Sequence, residues 1–258
     1  MSMHHALSKL SLVLMTASLL SMGSLPVAAA NETAPIAGFA QSFLLGTRLA
    51  NAKVTVLETG QEFYTDKVGH FGPFDYPVGK PITLQLEKWS YKTTRTSTVI
   101  VPPGGQTGPF ENITFQVPSI ITYYLLANIV GATIDDNSCH VTATVTAYHK
   151  LLHDIPQGMP GATVTIKPAV DENPFYFDLY KSGPFKGKTN PFTRKLAKTS
   201  EDGGVAFFNL PPSDKPYVMT AKKDGVKFTE TLFMCEKGAF INISPPKGPM
   251  EMKEIKYL

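Results

Sequence analysis

The chain has 258 residues, with 24 Lys and Arg against 21 Asp and Glu and a formal net charge of +3. So even a balance speaks against the concentrated basic face that nucleic-acid binding requires. The 21 prolines and 20 glycines suit many short strands joined by turns better than a helical bundle.

The first 30 residues read as an export signal: Lys9 at the positive end, an apolar core from Leu10 to Leu20, and Ala28-Ala29-Ala30 as a small-residue cleavage site before Asn31. The apolar run falls short of the roughly 20 residues that span a bilayer. A mature chain starting near Asn31, secreted or periplasmic and without a transmembrane segment, is therefore expected. It keeps a charge of +2, because the leader holds one lysine and no acid.

The first domain is expected over 31–118, after a loose start at Asn31 to Pro35. Gly38 to Leu45 reads as a short apolar strand. Ala52 to Leu57 alternates small or apolar with polar residues, the period of a half-buried strand. Glu58-Thr59-Gly60-Gln61 and Thr65-Asp66-Lys67-Val68-Gly69 read as turns. Ile82 to Leu86 and Phe110 to Pro118 are further strands. The segment 119–130 is largely apolar and fits either a buried strand or a short helix, since periodicity cannot separate the two.

A second domain is expected over 131–246, before a polar tail at 247–258. His140 to Tyr148 is a β-branched alternating strand and Ala162 to Ile166 the next. An insertion at 170–198 follows, mixing Phe175, Tyr176, Phe177, Tyr180, Phe185 and Phe192 with Lys181, Lys186, Lys188, Arg194 and Lys195. Cys139 and Cys235 are the chain's two cysteines. In an oxidising compartment an isolated pair most simply forms a disulfide, and C-x-x-C redox spacing is missing.

The two halves repeat one pattern. AKVTV at Ala52, TDKVGHF at Thr65 and PITLQL at Pro81 recur as GATVTI at Gly161, TSEDGGVAF at Thr199 and PYVMT at Pro216. A strand of A-x-V-T-V type, a T-D-x-x-G-x-F turn, a proline-bounded loop and a strand ending near an aromatic are similar to the carboxypeptidase regulatory-like, transthyretin-like β-sandwich. The resemblance covers about two thirds of the mature chain and implies an all-β fold: two tandem Ig-like or transthyretin-like antiparallel sandwiches. Two departures are visible. The turn aspartate, present as Asp66, is displaced in the second copy, which reads Thr199-Ser200-Glu201-Asp202. The usual Gly-Tyr is Ser90-Tyr91 in the first. Trp89 and Tyr91 are expected to be buried packing.

Catalytic signatures are missing. The chain ends Glu254-Ile255-Lys256-Tyr257-Leu258, not in the Tyr-Arg-Gly-Ser of the hydroxyisourate hydrolases, and has neither Gly-x-Ser-x-Gly nor a phosphate-binding glycine loop. Asp135-Asp136-Asn137 reads as a turn. His149 and His153, four apart, would share one face of a helix and could hold a metal. The insertion offers stacking area together with charge-assisted hydrogen bonds, as a binding loop needs. The expected role is non-catalytic recognition of an extracytoplasmic protein, glycan or envelope component, without a cofactor, through Phe175, Tyr176, Phe177, Tyr180, Lys181, Lys186 and Arg194. A metal-dependent enzyme or metal-handling protein using His149 and His153, and a structural spacer, are the alternatives.

Overall fold

The computed structural model describes residues 32–106, 113–171, 173–192 and 196–253. The expected signal and its cleavage site, Arg194 and residues 254–258 of the tail lie outside them. The described residues form eighteen strands and one helix.

The first strand, β1 (Thr33–Ser42), starts before Gly38, so the stretch up to Pro35 is not a loose leader. Its Ala34 and Ile36 occupy alternate positions and are both buried. Pro35 lacks an N–H but still accepts a 2.7 Å bond from the Gln106 N–H. β2 (Lys53–Val56) and β3 (Glu62–Tyr64) form a hairpin, with Val54 and Val56 turned inward. β4 (His70–Pro77), β5 (Pro81–Ile82), β6 (Leu84–Glu87), β7 (Thr94–Arg95), β8 (Val99–Ile100) and β9 (Ile113–Val117) complete this half. After the helix α1 (Ile120–Ile129) come β10 (Cys139–Thr144) and β11 (Thr163–Lys167). The insertion supplies β12 (Phe175–Tyr176), β13 (Asp178–Leu179) and β14 (Thr189–Asn190). β15 (Gly204–Leu210), β16 (Tyr217–Lys222), β17 (Thr231–Phe233) and β18 (Phe240–Ile243) close the chain.

The duplicated sequence pattern has a duplicated topology. β1 lies between β4, antiparallel, and β9, parallel. β10 lies in the same way between β15, antiparallel, and β18, parallel. The companion layers are β3-β2-β6-β7 and β11-β16-β17. Each half is thus a β-sandwich, but a mixed one where purely antiparallel sheets were expected. The first and last strands of a half are joined by a long crossover, which permits parallel pairing, whereas a hairpin would forbid it. A third parallel pairing sets Thr94 opposite Phe240, linking β7 to β18. The layer of the first half thereby continues into the second as one eight-stranded sheet.

The repeated threonine explains why the same turn recurs. Thr65 Oγ1 accepts from the Ala52 N–H at 2.8 Å and donates to the Leu49 carbonyl at 2.6 Å. Thr199 Oγ1 accepts from the Ala162 N–H at 2.8 Å and donates to the Met159 carbonyl at 2.6 Å. Each hydroxyl is buried and satisfies a backbone donor and acceptor that water cannot reach. Gly69 and Gly203 follow with φ of 81° and 73°, and the N–H of Ala40 or Val145 donates to the glycine's carbonyl at 2.8 Å in both cases. A side chain would be strained at such a φ.

Two apolar clusters result. One gathers residues between Ala34 and Val117, among them Phe115, Leu84 and Leu86. The other gathers residues between Cys139 and Ile243, centred on Phe207, Met219 and Phe233. Cys139 and Cys235 are disulfide-bonded within the second cluster, with Cα atoms 5.6 Å apart.

The ambiguous segment is helical. Ser119 caps it, accepting from the Thr122 N–H at 3.1 Å, and Gly131 at φ 74° ends it. Tyr123 and Ala127 face inward, while Ile121 and Leu125 are exposed. Trp89 departs from its expected burial and is 92% exposed. It sits in the tight turn after β6, beside Ser90 at φ 65°. Tyr91, by contrast, packs half-buried against the first core.

Candidate functional site

Strand alternation gives the second sandwich an outer face as well as a core. Val141, Ala143 and Val205 point inward, so Thr142 and Thr144 on β10 point outward. Phe240 and Asn242 on β18 stand opposite His140 and Thr142. Such a face usually meets water. Here α1 crosses it, with the Tyr123 ring edge-on to Phe240 at 5.2 Å and to His140 at 6.2 Å, and the Lys92 ammonium 4.9 Å over the same ring. Burial, then the Lys92 charge, hold His140 below the usual imidazole range.

Helix and sheet do not close completely. Between them lies a cavity of about 280 Å³. One wall is the loop Phe43–Gly46 of the first half and another is α1 through Leu126 and Ala127. The floor is the sheet at Thr142, Thr144, Phe240 and Asn242. The far side comes from the 152–157 segment and from the insertion, through Phe177 and residues 187–189.

One carboxylate lies in this wall. Asp202 is 3% exposed, yet it belongs to a turn. Its Oδ1 accepts from Thr189 Oγ1 at 2.7 Å and its Oδ2 from the Gly204 N–H at 3.0 Å. Burial raises its pKa to about 6; the two hydrogen bonds pull it down and the nearby Asp178 pushes it up. No Lys or Arg forms an ion pair with it among the described residues. Two other wall residues carry buried polar atoms without a partner, Gln157 Oε1 and Thr142 Oγ1. Lys188 and His153 also line the cavity from exposed positions.

The structure distributes the expected site residues unevenly. Phe177 lines the cavity and meets Phe175 edge-on at 5.1 Å. Tyr176 instead points into the core, where its phenol oxygen accepts from the Val164 N–H at 2.8 Å. Tyr180 packs on the exposed Phe185, ring centroids 5.6 Å apart. Lys181 reaches Asp178 at 3.2 Å and Glu201 at 3.4 Å, and Lys186 is exposed. His149 and His153 lie in turns, so the shared helical face is missing. His149 stacks on Tyr148 at 3.9 Å, while His153 lies parallel to Phe39 at 6.1 Å. Among the described residues no three His, Cys, Asp or Glu gather into a metal-binding group. Asp135 forms the expected turn, its Oδ1 accepting from the Asn137 N–H at 2.9 Å.

Sequence reasoning overlooked Asp202 and the loop Phe43–Gly46. A signal for Asp202 existed. Aligning the repeats on Thr65 and Thr199 puts Asp202 where the first copy has the exposed Val68.

No described helix is long and apolar enough to cross a membrane. No protein-family model matches the chain, and no curated protein matches it. Solved structures do show likeness. The TIE protein of Bacillus anthracis is 16% identical over 82% of this chain, with a TM-score of 0.27. A streptococcal ancillary pilin is 10% identical over 87%, with a TM-score of 0.25. The E269A mutant of the shaft pilin SpaA from Lactobacillus rhamnosus GG is 7% identical over 87%, with a TM-score of 0.26. This chain covers 33% of the TIE protein chain, 64% of the ancillary pilin and 98% of the shaft pilin. At such scores the likeness carries no inference about role.

Proposed function

We propose that the chain is an exported, non-catalytic recognition protein of two transthyretin-like modules, spanning about residues 31–118 and 131–246, and that it holds its ligand in the cavity beneath α1. The leader-like first 30 residues support export, and the disulfide suits an oxidising compartment. The observation that carries the reading is the convergence of the insertion, α1 and a loop of the first half on one largely apolar concavity with a few polar groups in its wall. The ligand would be all or part of an envelope component, a glycan or a protein side chain. A spacer role draws on the eight-stranded sheet through both halves and needs no cavity.

A neutral naphthalene dye that brightens in apolar surroundings tests the proposal. Saturable binding at one site is expected, weakened in Leu126→Trp, whose added ring obstructs the cavity, while the circular dichroism stays unchanged. Absence of saturable binding, or binding indifferent to Leu126→Trp, would favour the spacer.

A further inference from the structure

We infer that the cavity beneath α1 selects a small amphipathic organic cation, an ammonium group on an apolar body, with the Asp202 carboxylate as the anchor for the charged head. The inference rests on the reading of this cavity as a ligand site and specifies what it takes.

An ionised carboxylate removed from water is expensive unless a cation and hydrogen bonds compensate it. Among the described residues Asp202 has the hydrogen bonds but no cation, at 3% exposure. Lys188 and His153 line the same cavity without an ion pair to it, and the charge that acts on it, Asp178, has the same sign. An anionic ligand would meet repulsion at this wall, whereas a cation would supply the missing partner.

The two copies of the repeat use their turn aspartates differently. In the first half Asp66 Oδ1 accepts from both Val68 N–H and His70 N–H, in the open at the surface. In the second half the work is divided. Ser200 Oγ accepts from the Asp202 N–H at 3.0 Å, and Asp202 Oδ2 accepts from the Gly204 N–H. A neutral Asn at 202 would close this turn equally well, so the turn accounts for an acceptor but not for a buried charge.

The cavity wall also holds unused acceptor capacity. A carboxylate offers about four lone-pair sites, and Asp202 uses two. Gln157 Oε1 and Thr142 Oγ1, in the adjoining walls, have none of theirs filled. An ammonium brings three donors and no acceptor, which matches this surplus. Glycine at 204 lets the carboxylate lie close against the backbone: a Cβ there would collide with Asp202 Oδ2 and meet the Phe177 ring at 3.0 Å. Phe177, Phe208 and Phe240 around the cavity offer π faces to a cation and apolar cover to its body.

Calorimetric titration separates the possibilities, using 2-phenylethylammonium and its neutral counterpart 3-phenylpropanol on the purified protein and on Asp202→Asn. Above neutral pH the ammonium should bind roughly tenfold or more tightly than the alcohol. Asp202→Asn should abolish that preference and leave the alcohol's affinity in place, which also shows that the cavity survives the substitution. Ammonium affinity should fall as pH drops below about 6, where Asp202 protonates, and alcohol affinity should not. Equal binding of the two compounds, unmoved by Asp202→Asn, would overturn the cation assignment and keep the ligand site. Saturable binding of neither would overturn both.

Discussion

Replacing Thr199 by Val keeps the shape of the side chain and removes its hydroxyl. The hydroxyl now joins the Ala162 N–H at 2.8 Å to the Met159 carbonyl at 2.6 Å, in a site 4% exposed. Valine would strand both backbone groups. A buried polar group left unpaired costs about 1–3 kcal/mol, so Thr199→Val, which strands two, should lose roughly 2–6 kcal/mol. At about 2–4 °C per kcal/mol for a chain of this size, the melting temperature should drop by roughly 4–24 °C. Thr199→Ser keeps both hydrogen bonds and gives up one methyl, for about 1 kcal/mol. Thr65→Val should match Thr199→Val, because Thr65 makes the same pair of bonds to Ala52 and Leu49. Urea denaturation measures all three, and an unchanged slope would confirm that the native state, not the compactness of the unfolded one, has been altered. A Thr199→Val protein within about 0.5 kcal/mol of wild type, or a serine variant as weak as the valine one, would refute the reasoning.

Other expectations follow from the same contacts. The raised pKa of Asp202 means that the folded state binds its proton more tightly than the unfolded chain does. Its contribution favours folding at low pH and is lost as pH rises from about 4 through about 6. Asp202→Asn should therefore gain up to about 3 kcal/mol over the wild type at pH 7 relative to its difference at pH 4, read from paired urea melts. A Cys139→Ser, Cys235→Ser protein should lose up to about 4.7 kcal/mol, the chain-entropy value for closing a loop of about 100 residues, measured by chemical denaturation. The single Trp, being 92% exposed, should emit as a water-exposed indole in the native state and be quenched by acrylamide about as freely as in urea.

Much of the β-architecture was legible because strands with one buried face announce themselves. Val54 and Val56, Leu84 and Leu86, and Val164 and Ile166 alternate with polar residues, and all are buried as that alternation implies. The paired turns were legible from their repeated polar and glycine residues, although the threonine bonds themselves are not local: Thr199 reaches Ala162 and Met159 across the insertion. The helix was not legible. Ile120 to Ile129 is apolar on nearly every face, so it carries neither a period of two nor a clear period of 3.6. The pairing of β7 with β18 escaped for a different reason: Thr94–Arg95 is two residues long, and its partner lies more than a hundred residues away. Asp202 reads as an ordinary turn acid until the insertion folds over it and Thr189 donates to it. Burial conferred by a distant segment leaves no local trace. Trp89 shows the converse, since a residue type that favours burial stays exposed in a tight turn.

The most direct test of a ligand site beneath α1 is amide NMR mapping with 3-phenylpropanol, the neutral fragment. The account predicts saturable shifts concentrated on residues 43–46, the inner face of α1, Thr142 to Thr144, and residues 187–189 and 202–205. Shifts that stay absent at saturating fragment, or that gather around Trp89 and Phe185 instead, would contradict it.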